Sequence, residues 1–106
     1  MTTFEDRERA FENKFSHEQE LLFKIHVRRA RLLALWAADQ MKFNEAEATA
    51  YARATVDADL EHTGPSDLIR RVCSDLESHG VDISRHRVEK EAELLLTLAH
   101  DQVTRE

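Results

Sequence analysis

Residues 16–40, SHEQELLFKIHVRRARLLALWAADQ, contain the longest helical pattern in the chain. The apolar residues in this stretch recur at spacings of three, four and seven, which is the period of one face of an α-helix. They are Leu21, Leu22, Ile25, Leu32, Leu33, Leu35 and Trp36. The stretch therefore predicts a long amphipathic helix that forms one wall of a helical core.

Two further helices are predicted after this one. Asn44 and Glu47 have the spacing of a capping box and start a second helix that runs to about Leu60. Gly64 and Pro65 then interrupt the pattern, because proline cannot continue a helix but suits the first turn of the next. The third helix carries the apolar residues Leu68, Ile69, Val72, Cys73 and Leu76.

A fourth helix is predicted over residues 85–103. Gly80 suits the left-handed residue that closes the preceding helix, and Ser84 suits the cap of the next. The apolar seam of this helix comprises Val88, Ala92, Leu95, Leu96, Ala99 and Val103. Four amphipathic helices with short connections pack most simply as a bundle, so residues 16–106 are predicted to form an all-α four-helix bundle.

Composition supports this fold class and excludes several functions. The 106 residues include two glycines and one proline, which leaves few residues for the turns of a β-rich fold. The formal charge of −6 disfavours nucleic acid and anionic membranes as partners. The single thiol, Cys73, cannot form an intramolecular disulfide, and no apolar run approaches the length of a membrane span. We expect a cytoplasmic protein without direct membrane insertion.

Residues 1–15 form a separate N-terminal arm in this interpretation. The first 20 residues carry six acidic and three basic side chains, a composition typical of a solvated segment. Phe4, Phe11 and Phe15 nevertheless fall on one narrow stripe at helical spacing. Capping pairs of Thr2 with Glu5 and Thr3 with Asp6 favour a helix start near the terminus. We expect a flexible or partner-folded arm whose stripe binds a partner, and alternatively one whose rings dock on the bundle and extend the first helix.

No catalytic or metal-binding pattern is present, so the chain is not predicted to be an enzyme. Gly64 and Gly80 are the only glycines, which excludes a glycine-rich phosphate loop. No two of the six histidines stand three or four residues apart, and Cys73 has no second cysteine, so metal binding is not expected. Protonation of all six histidines would move the formal charge from −6 to 0. His17, beside the arm, is the histidine to test for pH-sensitive association.

One basic run stands out in the first core helix. Lys24, Arg28, Arg29 and Arg31 occur with no acidic residue between them and could contact a phosphate. The favoured alternative is a solvated or partner-facing side of the helix.

Residues along most of the chain resemble a known family. The resemblance begins with Met1-Thr2-Thr3-Phe4, Asp6-Arg7-Glu8, residues 10–15, His17, Glu20 and Phe23-Lys24. It continues through Arg28-Arg29, Leu32-Leu33, residues 35–38, residues 45–48, Tyr51-Ala52, residues 75–77 and residues 80–82. These motifs are similar to the zeta (inhibitor) subunit of alphaproteobacterial F-type ATP synthases.

The resemblance implies a fold, a mechanism and a set of partners. It implies a four-helix bundle whose N-terminal helix inserts between alpha and beta subunits of the catalytic head and blocks ATP hydrolysis. The implied partner-binding residues are Phe4, Arg7, Glu8, Phe11, Glu12, Lys14 and Phe15. Gamma is a further candidate partner, and weak binding of ADP or ATP without a dedicated cofactor is allowed. The protein would then lie at the periphery of the inner membrane when bound, and we expect a monomer when it is free.

Three other functions remain open from the sequence. The first is a helical adaptor that binds its partner without inhibiting it. The second is a histidine phosphotransfer bundle, although no histidine here has the expected Lys-Gly context. The third is nucleic-acid binding through Arg70-Arg71 or Arg85-His86-Arg87, which the acidic net charge opposes.

Overall fold

The fold consists of four α-helices. A computed structural model describes the backbone of residues 4–61 and 65–106, and the side chains of residues 14, 16–61 and 67–106. The helices are α1 (Phe4–Gln40), α2 (Glu45–Glu61), α3 (Pro65–Ser78) and α4 (Arg85–Thr104). The all-α four-helix bundle predicted from the sequence is confirmed.

The helices alternate in direction along the chain. The start of α2 meets the end of α3, where the Tyr51 hydroxyl donates a hydrogen bond to Asp75 Oδ2 at 2.7 Å. The start of α4 lies beside the C-terminal half of α1, where the Arg87 guanidinium stacks 5.4 Å from the centroid of the Trp36 ring. The end of α4 packs against the middle of α1, where Val103 and Ile25 share a cluster. The topology is therefore up-down-up-down, with α1 against both α2 and α4.

Two apolar clusters form the core. The larger one has its buried residues on α1, α3 and α4 and at the end of α1, and α2 contributes the partly buried Tyr51 and Val56. The buried residues are Ala30, Leu33, Ala37, Met41, Leu68, Val72, Leu76, Val88 and Ala92. The smaller one lies toward the end of α4 and consists of Ile25, Ala99 and Val103, with Leu21, Leu32 and Leu96 packed on it. Apolar burial at these positions is the main force that holds the helices together.

Alanines let α1 approach its neighbours closely. Ala30, Ala34, Ala37 and Ala38 have no exposed surface at all. Because alanine has a short side chain and the highest helix propensity, it favours both the helix and close contact between helix backbones.

The predicted helix ends are confirmed where the structure describes them. The Asn44 side chain accepts from the backbone N–H of Glu47 at 2.8 Å, and Glu47 accepts from the backbone N–H of Asn44 at 3.0 Å. Ser84 accepts from the backbone N–H of Arg87 at 3.1 Å and caps α4. Gly80 has φ of +70°, so it closes α3 as predicted.

The first helix differs from the sequence prediction at one position, and its backbone extends beyond the predicted core segment. The core segment is expected from Ser16, and the backbone of α1 is helical from Phe4, as in the alternative in which the arm extends the first helix. Nothing between these residues interrupts the helix, because the segment contains neither glycine nor proline. Leu22 was expected on the core face, but it is 50% exposed because it lies where the bundle ends.

Candidate functional site

The N-terminal part of α1 extends beyond the bundle. Lys14 and residues 16–20 are all exposed. Five consecutive helical residues cover more than a full turn, so no side of α1 packs against another helix there. At 1.5 Å per residue, the 37 residues of α1 span about 55 Å. The molecule measures 65 × 25 × 23 Å, which matches one long helix with a short bundle around its C-terminal half.

The predicted partner-binding residues lie on this extension. The backbone is helical from Phe4 onward, so positions 4, 11 and 15 share one side of a continuous helix. Of the seven predicted side chains only that of Lys14 is described, and it is exposed. The side chains of Phe4, Arg7, Glu8, Phe11, Glu12 and Phe15, and the caps predicted for Thr2 and Thr3, lie outside the described residues.

The aromatic stripe lines up with the core face of α1. Leu22 follows Phe15 by seven residues, close to two full helical turns, and position 29 follows by two more. Arg29 is buried, whereas Leu22 and Phe23 are 50% and 56% exposed. One side of α1 thus faces the core inside the bundle and leaves apolar side chains open just outside it.

The basic run of α1 does not converge on one point. Arg28 donates to Gln102 Oε1 at 2.9 Å and pairs with Glu106 near the end of α4. Arg29 points inward and is 8% exposed, and its Nε has no hydrogen-bond partner. Lys24 and Arg31 are exposed. The four residues are therefore paired, buried or exposed, and they do not share the single environment that a compact phosphate site needs.

Charged side chains, which are exposed or partly exposed, surround the buried Arg29 at the base of the extension. Burial lowers the pKa of Arg29, and the nearby Asp59 carboxylate opposes that change. Burial also raises the pKa of Asp59, against the lowering effect of Arg29 and His26. Asp67 at the start of α3 raises the pKa of Asp59 further. The cluster joins α1, α2 and α3 where the bundle meets the extension.

The described residues do not support the chemistry of a metal site. Among the side chains that the structure describes, no three His, Cys, Asp or Glu groups come together to hold a metal ion. His17, His26, His86 and His100 are exposed and separate from one another, and His79 stacks on Phe43 with ring centroids 5.1 Å apart. His62 lies outside the described residues. Cys73 is half-buried, and burial raises the pKa of its thiol, which disfavours the reactive thiolate.

The arginines proposed for nucleic-acid contact are occupied by carboxylates. Arg70 pairs with Asp67 at 3.8 Å and Arg71 with Asp75 at 4.0 Å. Arg85 pairs with Glu89 at 3.0 Å and Arg87 with Glu91 at 2.7 Å. Each surface is thus locally neutralised, which weakens it as a phosphate-binding face.

Over the stretches that the structure describes, no helix is both long and apolar enough to cross a membrane.

Sequence reasoning did not identify the surface between α1 and α2. A groove there is lined by residues of both helices, including Arg31 and Arg53. The only local signal was the alanine spacing of α2, which also suits a plain solvent-facing helix.

A family model described as ATPase inhibitor subunit zeta matches residues 1–102. No curated protein matches the chain. The matched range includes α1 with its extension, α2, α3 and all but the last two residues of α4.

Proposed function

The chain belongs to the ATPase inhibitor subunit zeta family, and from this membership we propose that its N-terminal arm inserts between alpha and beta subunits of the ATP synthase head. Membership itself gives the protein an inhibitory, regulatory role and an association with ATP synthase. The proposal adds the mechanism, in which the arm enters the head as a helix and blocks ATP hydrolysis while the bundle stays outside. Gamma is a further candidate contact at the inner end of the arm.

The observation that carries the proposal is the exposure of α1 at residues 16–20. A helix that no other helix covers can enter a cleft without first separating from its own bundle. Residues 4–15 are also helical and continuous with the core helix. A segment that adopts this helix before it binds would lose less conformational entropy on binding than an unfolded peptide does.

The stripe supplies the apolar contact that insertion needs. Burial of Phe4, Phe11 and Phe15 by a partner would contribute about 1.5–3 kcal/mol for each ring before ordering costs. Helical register places Arg7 and Lys14 along one edge of the stripe and Glu8 and Glu12 along the other. This separation of charge would favour one direction of the helix axis within the cleft, because reversing the axis with the stripe on the same wall would exchange the two edges.

The experiment is a titration of ATP hydrolysis by the cognate ATP synthase head. We expect the intact protein to inhibit and a version lacking residues 1–15 to fail. The sharper comparison uses full-length chains with Phe11→Asp and Asn13→Asp, because residue 13 lies on the opposite side of the helix from residue 11. Phe11→Asp should raise the half-inhibitory concentration at least about thirtyfold, the effect of losing an interface side chain worth about 2 kcal/mol.

Asn13→Asp should leave inhibition unchanged within about twofold, since surface substitutions outside an interface have small effects. Equal inhibition by the two variants would disprove insertion of the stripe. Binding without inhibition by the intact chain would instead identify a non-inhibitory adaptor.

A further inference from the structure

A groove runs along the outer side of the bundle between α1 and α2. It has a volume of about 270 Å³ and lies two turns or less from the base of the N-terminal extension. Its floor consists of Val27, Leu35, Ala52 and Val56, and its rim of Arg31, Thr49, Arg53 and Asp57. The floor is apolar, and the rim carries two arginines and one aspartate, an arrangement that can receive an amphipathic helix.

An exposed alanine face on α2 widens this groove. Ala46, Ala50 and Ala54 follow one another at intervals of one turn and are all exposed. They line a shallow depression that shares Thr49, Arg53 and Asp57 with the groove, so the two form one surface. Short side chains at these positions would let the backbone of a second helix come close.

The cations at the groove differ from the cations within α3 and α4. On α3 and α4, five of them pair with carboxylates three or four residues away, namely Arg70, Arg71, Arg85, Arg87 and Lys90. Within the described part of the chain, Arg31 and Arg53 form no such pair. Lys24, two turns before Arg31 on the same face of α1, is also exposed and unpaired there. Asp57 is the one acidic residue that lines the groove.

We propose that this groove binds an acidic amphipathic helix of an ATP synthase subunit, as a second contact beside the N-terminal arm. The inference rests on the proposed function, because the arm brings the bundle to the head. Unpaired guanidinium groups on the rim attract carboxylates, and the apolar floor takes the apolar face of the same helix. A free phosphate would use the cations but leave Val27, Leu35 and Val56 exposed.

The groove and the arm belong to one rigid element, α1. Binding at one of them therefore raises the effective concentration of the other at its own site. The groove contributes affinity and speed of association through charge, whereas the arm contributes the block itself. This division of roles predicts that the two contacts can be separated by substitution.

The test compares Arg53→Glu with Arg105→Glu in the full-length protein. Both residues are exposed arginines without a paired carboxylate among the described residues, and only Arg53 lines the groove. Both substitutions make the same change in net charge. Arg53→Glu should raise the half-inhibitory concentration about tenfold or more at low salt, with less effect at high salt, and leave maximal inhibition unchanged. Arg105→Glu should change it less than about twofold.

A photo-crosslinking residue at Thr49 identifies the occupant of the groove. The control position is Thr97 on α4, because both threonines are exposed and both donate to the backbone carbonyl four residues before them. Thr49 should crosslink to an acidic helical segment of the head, and Thr97 should not. Crosslinks of equal yield from the two positions, or an Arg53→Glu variant that inhibits like the unchanged protein, would overturn the proposal.

Two further outcomes separate this proposal from the proposed function. If the intact protein binds the head in an Arg53-dependent way but does not inhibit, the groove proposal stands and the insertion mechanism fails. If inhibition depends on Phe11 and not on Arg53, insertion stands and the groove proposal fails.

A third experiment tests whether the groove binds a phosphate ligand instead. ADP is titrated into the protein while the amide chemical shifts are followed. Shifts centred on Arg31 and Arg53, together with displacement of the head by ADP, would assign the groove to a phosphate ligand and overturn the proposal.

Discussion

Asp59 and Arg29 lie close to each other across the interface of α1 and α2 without forming a direct ion pair in the described structure. Each has a pKa moved by burial in the direction that disfavours its charge. Buried charges of this kind are costly unless they are fully hydrogen-bonded, and Arg29 Nε has no partner. The sequence could not predict this cost, because it shows Arg29 only as one member of a basic run.

Asp59→Asn is predicted to change the pH dependence of stability. The pKa of Asp59 is raised in the folded state, so between the unfolded and folded pKa values the folded chain binds more protons. Stability contributed by this group is therefore lost as pH rises through that window. The free energy of unfolding of Asp59→Asn, relative to the unchanged protein, should rise as the pH increases above the unfolded-state pKa of about 4.

Urea unfolding across that pH range measures the difference. Asp57→Asn removes a carboxylate from the same helix and is the control, because Asp57 is exposed and its substitution should change the free energy of unfolding little. A relative stability of Asp59→Asn that falls with rising pH would contradict the raised pKa.

The helix ends show what local sequence can and cannot predict. The boundaries of α2 and α4 lie within one residue of those expected from the capping residues. Gly80 is predicted correctly because glycine is the usual left-handed residue that closes a helix.

Lys42 has the same left-handed conformation, with φ of +61°, and the sequence did not indicate it. There the backbone N–H of Phe43 bonds to Ala38 O at 3.0 Å while the Phe43 ring packs edge-on against Tyr51. The bond from Phe43 to Ala38 is that of a Schellman motif, which closes a helix with one left-handed residue, here Lys42.

Lys42→Gly is predicted to stabilise the bundle. A left-handed conformation costs a residue with a Cβ about 1–2 kcal/mol, and glycine avoids this at the expense of a more flexible unfolded chain. The net gain in the free energy of unfolding should be about 0.5–1 kcal/mol. The reverse substitution, Gly80→Ala, is the comparison. A Cβ at Gly80 would meet no atom within 4 Å, so the expected decrease of about 1 kcal/mol in the free energy of unfolding reflects backbone strain alone. Thermal and urea unfolding measure the stability of both variants. If Lys42→Gly is less stable than the unchanged protein, the lysine side chain stabilises the fold by more than the left-handed backbone of Lys42 costs.

At the scale of the whole molecule, the sequence indicates the arm but not the groove. The stripe is a local pattern, because three phenylalanines at helical spacing are visible in fifteen residues. The groove depends on the packing of α1 against α2, which brings Arg31 and Arg53 to one rim from separate helices. No local pattern contains that information. The division between arm and bundle at residue 15 stays a prediction, since the backbone helix passes through it without a break.

Because α1 is one continuous helix, a break between the arm and the bundle should affect inhibition more than stability. Gln19 is exposed within the helix and precedes the first residue that packs on the core, Leu21. Gln19→Pro removes a helical hydrogen bond and clashes with the preceding turn, at a local cost of about 3 kcal/mol. Because no described residue from 16 to 20 contacts the bundle, the free energy of unfolding of the bundle should change by less than about 0.5 kcal/mol.

Inhibition should respond differently from stability. A break at residue 19 turns a rigid link between the arm and the bundle into a flexible one, so the half-inhibitory concentration should rise about tenfold as preorganisation is lost. Gln19→Ala keeps the helix and should inhibit like the unchanged protein. Circular dichroism during urea unfolding and a titration of ATP hydrolysis measure the two quantities on the same samples. Unchanged inhibition by Gln19→Pro would mean that the arm enters the head as an independent helix, and a large loss of stability would mean that arm and bundle fold as one unit.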